Sequence, residues 1–199
     1  MSVKLSIIYY STYGSNTKMA KWAKEAAESF GADVRIRKVT ELAPQSVIDS
    51  NQAWKANQEA TKSITEATSD DIEWADAILF SVPARFGNVP SQFKQFIDTQ
   101  GRLWATGKTV NKAISAMTSA QNPHGGQEAT LLNLYTSMYH WGAIVVTPGY
   151  TDESVGLAGG NPYGTSVTIN QDGNMVEDIQ PAITHQVKRL LEIAGKLKA

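Results

Sequence analysis

The sequence contains no cysteine among its 199 residues. This absence excludes thiol nucleophiles, disulfides, zinc ribbons and iron–sulfur clusters, because all of them need cysteine sulfur. The three histidines, His124, His140 and His185, are far apart, and none lies in a spacing typical of zinc enzymes such as HExxH. We therefore predict that the protein has no metal site.

An excess of charge of one sign is also lacking. The 18 Lys and Arg residues nearly balance the 19 Asp and Glu residues, which leaves a formal net charge of -1. A nearly neutral chain gives no electrostatic basis for binding nucleic acid or an anionic membrane. No apolar run approaches the roughly 18 residues that span a bilayer, and the first apolar run is too short for a signal peptide. We expect a cytoplasmic protein with neither a nucleic-acid partner nor a membrane partner.

Apolar segments of strand length alternate with segments of helical periodicity along most of the chain. The patterns predict strands over residues 3–10, 32–39, 77–82, 112–117 and 143–147, and helices over residues 17–30, 91–99, 127–139 and 181–197. Such alternation produces a parallel sheet that is covered on both faces. With 42% hydrophobic residues the chain can bury one sizeable core, so we predict a single α/β domain over residues 1–199.

Two polar segments interrupt this alternation. Residues 42–69 are rich in alanine, and we predict a long excursion there with one short helix. Residues 149–173 are rich in glycine and asparagine, with one short strand predicted over residues 166–169. The stretch GLAGGNPYG, residues 156–164, lacks a following helix, so we do not interpret it as a nucleotide-binding loop.

The stretch STYGSNT, residues 11–17, follows the first predicted strand directly and leads into the first predicted helix. In an open parallel sheet, ligands bind beyond the carboxyl ends of the strands. A helix N-terminus offers unpaired N–H groups and a partial positive charge there. Gly14 lets the backbone approach a ligand, and hydroxyl or amide donors come from Ser11, Thr12, Ser15, Asn16 and Thr17. We predict a phosphate site that needs no cation.

A helix cap is the simpler interpretation of this stretch, because Ser, Asn and Thr begin helices in all kinds of proteins. One capping residue would suffice for that purpose, whereas residues 11–17 hold several together with a glycine, so phosphate binding is favoured. The chain has neither GxxxxGK[ST] nor a GxGxxG after a strand, which argues against a nucleoside triphosphate or a dinucleotide. A neutral loop rich in hydroxyl groups suits a phosphate monoester.

The stretch SIIYYSTYGSNTKMA, residues 6–20, resembles the FMN phosphate loop of flavodoxin-like proteins. The segments SVPARFGNVPSQFKQFIDTQGRLWATG, GGQEATLL and YHWGAIVVTPGY resemble the WrbA family of NAD(P)H:quinone oxidoreductases. This resemblance runs from the first strand to the last helix. It implies a flavodoxin-like, doubly wound sheet of five parallel strands in the order 2-1-3-4-5, with helices on both faces.

The resemblance also implies which residues contact the flavin. The first loop comprises Ser11, Thr12, Tyr13, Gly14, Ser15, Asn16 and Thr17. The second loop comprises Pro83, Ala84, Arg85, Phe86, Gly87 and Asn88. The third loop comprises Thr118, Ser119, Ala120, Gln121, Asn122, Gly125 and Gly126. The second loop suits the flat ring, and N–H groups of the third would stabilise the negative charge that develops at its pyrimidine end. The simpler interpretations are a turn with Arg85 in solvent and an ordinary exposed Tyr13.

Three further positions carry implied roles. Tyr13 and Trp104 match residues of the substrate pocket, and the glycines on either side of Trp104 predict a loop there. His140 matches a family histidine beside the flavin and is a candidate proton donor, although a lone histidine is more often incidental. The third loop departs from the family, because AQNPH replaces a run of glycine and threonine and makes the loop about one residue longer.

The implied activity is the two-electron reduction of quinones to hydroquinones by NADH or NADPH, through FMN that is bound without a covalent bond. One pocket shared by both substrates predicts ping-pong kinetics. Two alternatives remain open at this stage. One is a flavodoxin-type electron carrier without turnover of its own, and the other is a non-catalytic interaction protein that has lost FMN. The resemblance further implies a homotetramer, assembled as a dimer of dimers.

Overall fold

The computed structural model describes residues 2–198, and this part of the chain contains one sheet of six strands. The strands are β1 (Lys4–Tyr9), β2 (Asp33–Lys38), β3 (Ala77–Pro83), β4 (Ala113–Ala120), β5 (Ile144–Val145) and β6 (Ser166–Thr168). All pairings between them are parallel, in the order β2-β1-β3-β4-β5. Strand β6 pairs with residues 118–120 at the carboxyl end of β4. The flavodoxin-like strand order is confirmed, with a sixth strand added to it.

Helices cover both faces of this sheet, as predicted. They are α1 (Ser15–Ser29), α2 (Gln45–Asp49), α3 (Gln52–Ala60), α4 (Ser69–Trp74), α5 (Ser91–Asp98), α6 (Gly101–Ala105), α7 (Gln127–His140), α8 (Glu153–Leu157) and α9 (Gln180–Leu197). Successive residues of a strand point to opposite faces. Ile7 packs in the core beneath α1 and α9, whereas Ile8 packs in the core beneath α5 and α7. Over residues 2–198, no helix is long and apolar enough to cross a membrane.

Strand β4 is longer than the sequence pattern predicts, and this changes the third loop. Thr118, Ser119 and Ala120, which we assigned to that loop, continue the strand and are buried. The Thr118 N–H donates to the Thr165 carbonyl at 3.1 Å, so it is not available to a flavin. The prediction of loop structure here is wrong because the pairing with β6, a segment distant in sequence, extends the strand.

The excursion after β2 contains more structure than the single short helix that we predicted. Helices α2 and α3 both lie within it, and α4 begins at its end. Helix α3 has a regular start, because Asn51 Oδ1 accepts the Trp54 N–H at 3.1 Å. Only Ile48 of α2 is buried and no residue of α3 is, so neither helix carries the apolar stripe by which a helix is recognised in a sequence.

The glycine-rich segment after β5 forms part of the sheet edge. The short strand predicted over residues 166–169 is present as β6. Gly164, just before it, packs so closely on the Ala116 carbonyl of β4 that a Cβ atom at this position would overlap the carbonyl oxygen. This segment therefore has a packing role next to β4.

Candidate functional site

The three candidate loops lie at the carboxyl end of the sheet, and the Asn16 side chain connects the first loop to the strands that precede the other two. Its Nδ2 donates to Ser119 Oγ at 2.7 Å, and its Oδ1 accepts the Ser81 hydroxyl at 3.0 Å. All three side chains are buried. Since Ser81 and Ser119 lie near the ends of β3 and β4, one carboxamide fixes the start of α1 to both strands. We predicted this amide as a phosphate donor, but its hydrogen bonds are made inside the protein, which leaves the Asn16 backbone N–H for a ligand.

The first turn of α1 presents unpaired backbone donors. The Gly14 N–H is already bonded, since it donates to Ser11 Oγ at 3.0 Å. Among the hydrogen bonds of residues 2–198, no partner is found for the N–H groups of Ser15, Asn16 and Thr17. These donors stand at the positive end of a helix of 15 residues. The arrangement is suited to an anion such as a phosphate group.

Two hydroxyl groups of the first loop already have partners. Thr17 Oγ1 donates to Asn57 Oδ1 at 3.0 Å, and Thr12 Oγ1 accepts Arg85 Nη2 at 2.8 Å. The guanidinium of Arg85 therefore connects the second loop to the first rather than lying free in solvent. It also brings a positive charge to a site that we predicted to need no cation.

The second loop forms a tight turn between β3 and α5. Pro83 is the last residue of β3, and the N–H and carbonyl groups of Arg85 and Asn88 bond to each other at 2.8 and 3.0 Å. Phe86, between them, has a φ of 53° and a fully exposed ring. A positive φ is uncommon for a phenylalanine. The turn holds this aromatic side chain outward at the edge of the site.

The third loop contacts the second through backbone atoms. A Cβ atom at Gly126 would lie 2.7 Å from the Gly87 Cα atom, so the two glycines are in close contact. The Gln127 side chain donates to the Asn122 carbonyl at 2.9 Å and closes the loop on itself. Residues 121–124 are exposed, whereas Gly125 and Gly126 are half-buried. The glycine pair thus joins the two loops, while four of the five residues that differ from the family pattern, residues 121–124, lie on the surface and Ala120 is buried in β4.

Sequence reasoning missed Glu41, which follows β2 at the same end of the sheet. Its carboxylate accepts the Tyr10 hydroxyl at 2.9 Å, Gln92 Nε2 at 2.8 Å and Trp54 Nε1 at 3.2 Å. Burial raises the pKa of the Tyr10 hydroxyl well above its usual value, so Tyr10 keeps its proton and donates it. The only sequence signal for Glu41 is its position just after a strand.

Sequence reasoning also missed the contacts of α3 with the first loop. The Trp54 ring meets the Tyr13 ring edge-on, with centroids 6.4 Å apart. Tyr13 nevertheless remains 52% exposed. Asn57 of the same helix bonds to the first loop. No local pattern marks these residues, because they lie in a polar segment whose path is set by the folded chain.

His140 and Trp104 lie together but away from the three loops. Trp104 Nε1 donates to the His140 carbonyl at 2.9 Å, and both residues line one surface cleft. Helix α7 begins next to Gly126 and has 14 residues, which span about 21 Å. His140, its last residue, therefore lies near the opposite end of the sheet. The prediction of a loop around Trp104 is wrong, since this residue lies in α6. Within one chain, neither residue reaches the loops.

The strand order, together with the unpaired N–H groups at the start of α1, defines a flavodoxin-like protein. A WrbA-like flavodoxin from Agrobacterium tumefaciens superposes with a TM-score of 0.66 at 20% identity, covering 98% of this chain and 99% of that one. An archaeal flavodoxin superposes with a TM-score of 0.58 at 16% identity, covering 98% of this chain and 99% of its own. At such identities the similarity establishes the fold.

Sequence comparison is more specific. Residues 3–153 match the model of the NADPH-dependent FMN reductase family. A curated NAD(P)H dehydrogenase (quinone) from Deinococcus radiodurans is 54% identical over 195 residues, covering 98% of this chain and 97% of that protein. Another from Sinorhizobium fredii is 41% identical, covering 98% of each chain. The chain belongs to the NADPH-dependent FMN reductase family, and its resemblance to WrbA-type quinone oxidoreductases is confirmed.

Proposed function

We propose that this protein, acting as one domain over residues 1–199, uses NAD(P)H to reduce quinones to hydroquinones with FMN held at the three loops. Family membership and the NAD(P)H dehydrogenase (quinone) relatives support the activity. When bound at the three loops, FMN would supply the hydride-transfer chemistry that links NAD(P)H to the quinone. A cytoplasmic location accords with the use of NAD(P)H.

The residues present fit the cofactor. The unpaired N–H groups of Ser15, Asn16 and Thr17 are the observation that carries the proposal, because they suit the phosphate of FMN. Arg85 adds a positive charge through its bond to Thr12. Residues 83–88 and 121–126 would border the ring, and the exposed Tyr13 would lie beside the substrates. Because Thr118 is paired with Thr165, the donors to the pyrimidine end would come from the later part of the third loop.

The first test is a turnover assay on the protein reconstituted with FMN. We expect NADH oxidation that depends on added benzoquinone, with parallel lines in double-reciprocal plots, because both substrates would occupy the same pocket beside Tyr13. Lines that converge would contradict the shared pocket. Binding of FMN without NADH oxidation would favour the electron carrier over the reductase.

We also propose that the active form is a homotetramer, a dimer of dimers, in which Trp104 and His140 border the site of a neighbouring chain. Both residues lie too far from the loops of their own chain to contact its flavin, and the Trp104 side chain is 58% exposed. In this arrangement His140 is a candidate proton donor, and Trp104 provides a flat surface for the quinone.

A complementation assay tests this assembly. Chains with Trp104→Ala have intact loops, whereas chains with Ser11→Ala and Thr17→Ala have an intact Trp104. Each variant should be nearly inactive alone, and co-expression should restore part of the activity, because some sites would then combine intact loops with an intact tryptophan. Sedimentation should give the mass of four chains. An active monomer, or no recovery in the mixture, would argue against shared sites.

A further inference from the structure

Helix α3 contacts α2 and the candidate site but contributes no buried residue to either core. None of its nine residues is buried. A helix of this length is marginal alone and gains little from packing when it buries no apolar residue. Its contacts with the site are the Trp54 bond to Glu41, the edge-on contact with Tyr13 and the bonds of Asn57 to the first loop. A weakly packed helix therefore contacts the first loop, where the phosphate would bind.

The carboxamide of Asn57 bridges the two ends of the first loop. Its Nδ2 donates to the Ser11 carbonyl at 2.8 Å and, more weakly, to the Thr12 carbonyl at 3.4 Å. Its Oδ1 accepts the Thr17 hydroxyl at 3.0 Å. Ser11 and Thr12 follow the end of β1, whereas Thr17 lies in the first turn of α1. One side chain thus sets the spacing between strand and helix.

These bonds also fix the orientation of the peptide groups. In a trans peptide, the carbonyl and the following N–H point in opposite directions, and residues 2–198 contain no cis peptide. Since the carbonyls of Ser11 and Thr12 point to Asn57, the N–H groups of Thr12 and Tyr13 point away from it. A phosphate would be repelled by carbonyl oxygens and attracted by N–H groups. Asn57 therefore keeps these carbonyl oxygens on its own side of the first loop and leaves the N–H groups on the opposite side.

We propose that Asn57 is a positioning residue for the FMN phosphate: from α3, it holds the first loop in its phosphate-binding conformation before the cofactor arrives. This inference rests on the proposed function, because it requires FMN as the ligand. A loop that is already ordered does not lose conformational entropy when the ligand binds, which strengthens binding. The effect is confined to the loop that holds the phosphate.

The experiment compares FMN with riboflavin, which has the same ring but no phosphate. The full-length protein, freed of flavin, is titrated with each compound, and the quenching of flavin fluorescence gives the Kd. We expect Asn57→Ala to raise the Kd for FMN about 10-fold while the Kd for riboflavin changes less than about twofold. Gln58→Ala is the matched control, because Gln58 is the next residue of α3 and its side chain bonds only to Gln45 among residues 2–198. The Kd of the Gln58→Ala variant for FMN should equal that of the unmodified protein.

A second variant covers the case in which the alanine variant folds poorly. Asn57→Ser keeps a polar residue on the helix but is too short to span three partners, so it should show the same selective loss for FMN. An equal loss of affinity for both flavins would overturn the proposal, because it would indicate a general opening of the site. A gain in FMN affinity would also overturn it, since Asn57 would then compete with the phosphate for the Thr17 hydroxyl. If the unmodified protein binds neither flavin, the proposed function itself fails.

Discussion

Replacing Gly164 with alanine should destabilise the protein by about 3 kcal/mol. A Cβ atom at this position would overlap the Ala116 carbonyl oxygen and would lie 3.3 Å from Leu131 Cδ1. The Ala116 carbonyl cannot easily move, because it lies in β4 and also accepts Gln186 Nε2 at 2.9 Å. Gln186 Oε1 in turn accepts the Thr165 N–H at 2.8 Å. The added methyl group would therefore push β6 and α9 away from β4.

Urea unfolding followed by circular dichroism measures this change as a lower midpoint with an unchanged slope. Gly156→Ala is the control, because Gly156 lies in α8 and a Cβ atom there would meet no atom within 4 Å. Alanine is the better helix former, so this variant should be unchanged or more stable by about 0.5–1 kcal/mol. Equal stability of the two variants would contradict the close packing of Gly164 on β4.

Replacing Gly126 with alanine should lower the affinity for FMN about 100-fold, which corresponds to about 2.7 kcal/mol. Gly126 has a φ of 82°, a conformation that costs an alanine about 1–2 kcal/mol. The new Cβ atom would also lie 2.7 Å from the Gly87 Cα atom. The second loop cannot simply withdraw, because Asn133 Nδ2 donates to the Gly87 carbonyl at 3.0 Å. The second and third loops would separate, and the space between them would lose its shape.

The same flavin titration measures this effect, and its pattern should differ from that of Asn57→Ala. Because the second and third loops would border the ring, the affinities for FMN and riboflavin should fall by similar factors. Gly156→Ala again serves as the control with unchanged binding. An unchanged affinity for riboflavin would mean that the contact between Gly126 and Gly87 does not shape the site for the ring.

The predicted fold came from local signals. Strands β1, β3 and β4 are short, mostly buried runs, β2 alternates Val34 and Ile36 with charged residues, and α1, α5, α7 and α9 show apolar residues at helical spacing or end at turn residues. Such signals depend on neighbours within one or two turns, so the sequence contains them in full. The strand order came from the resemblance to flavodoxin-like proteins and not from periodicity.

The first loop was also visible in the sequence, because a strand, a run of small polar residues and a helix follow one another directly. The sequence did not show which partner each of these side chains would bind. Asn16 binds Ser81 and Ser119, which are 65 and 103 residues away along the chain. A sequence pattern records neighbours and contains no information on which distant hydroxyl group will lie within 3 Å.

The sequence by itself determined the alternation of strands and helices, the loop at the end of β1 and the family resemblance. Only the tertiary structure decided the length of β4, the position of Asn57 on the first loop and the distance of Trp104 and His140 from the loops of their own chain. These features share one physical cause. Each depends on contacts between segments that are far apart in sequence, and such contacts form only when the sheet has brought those segments together.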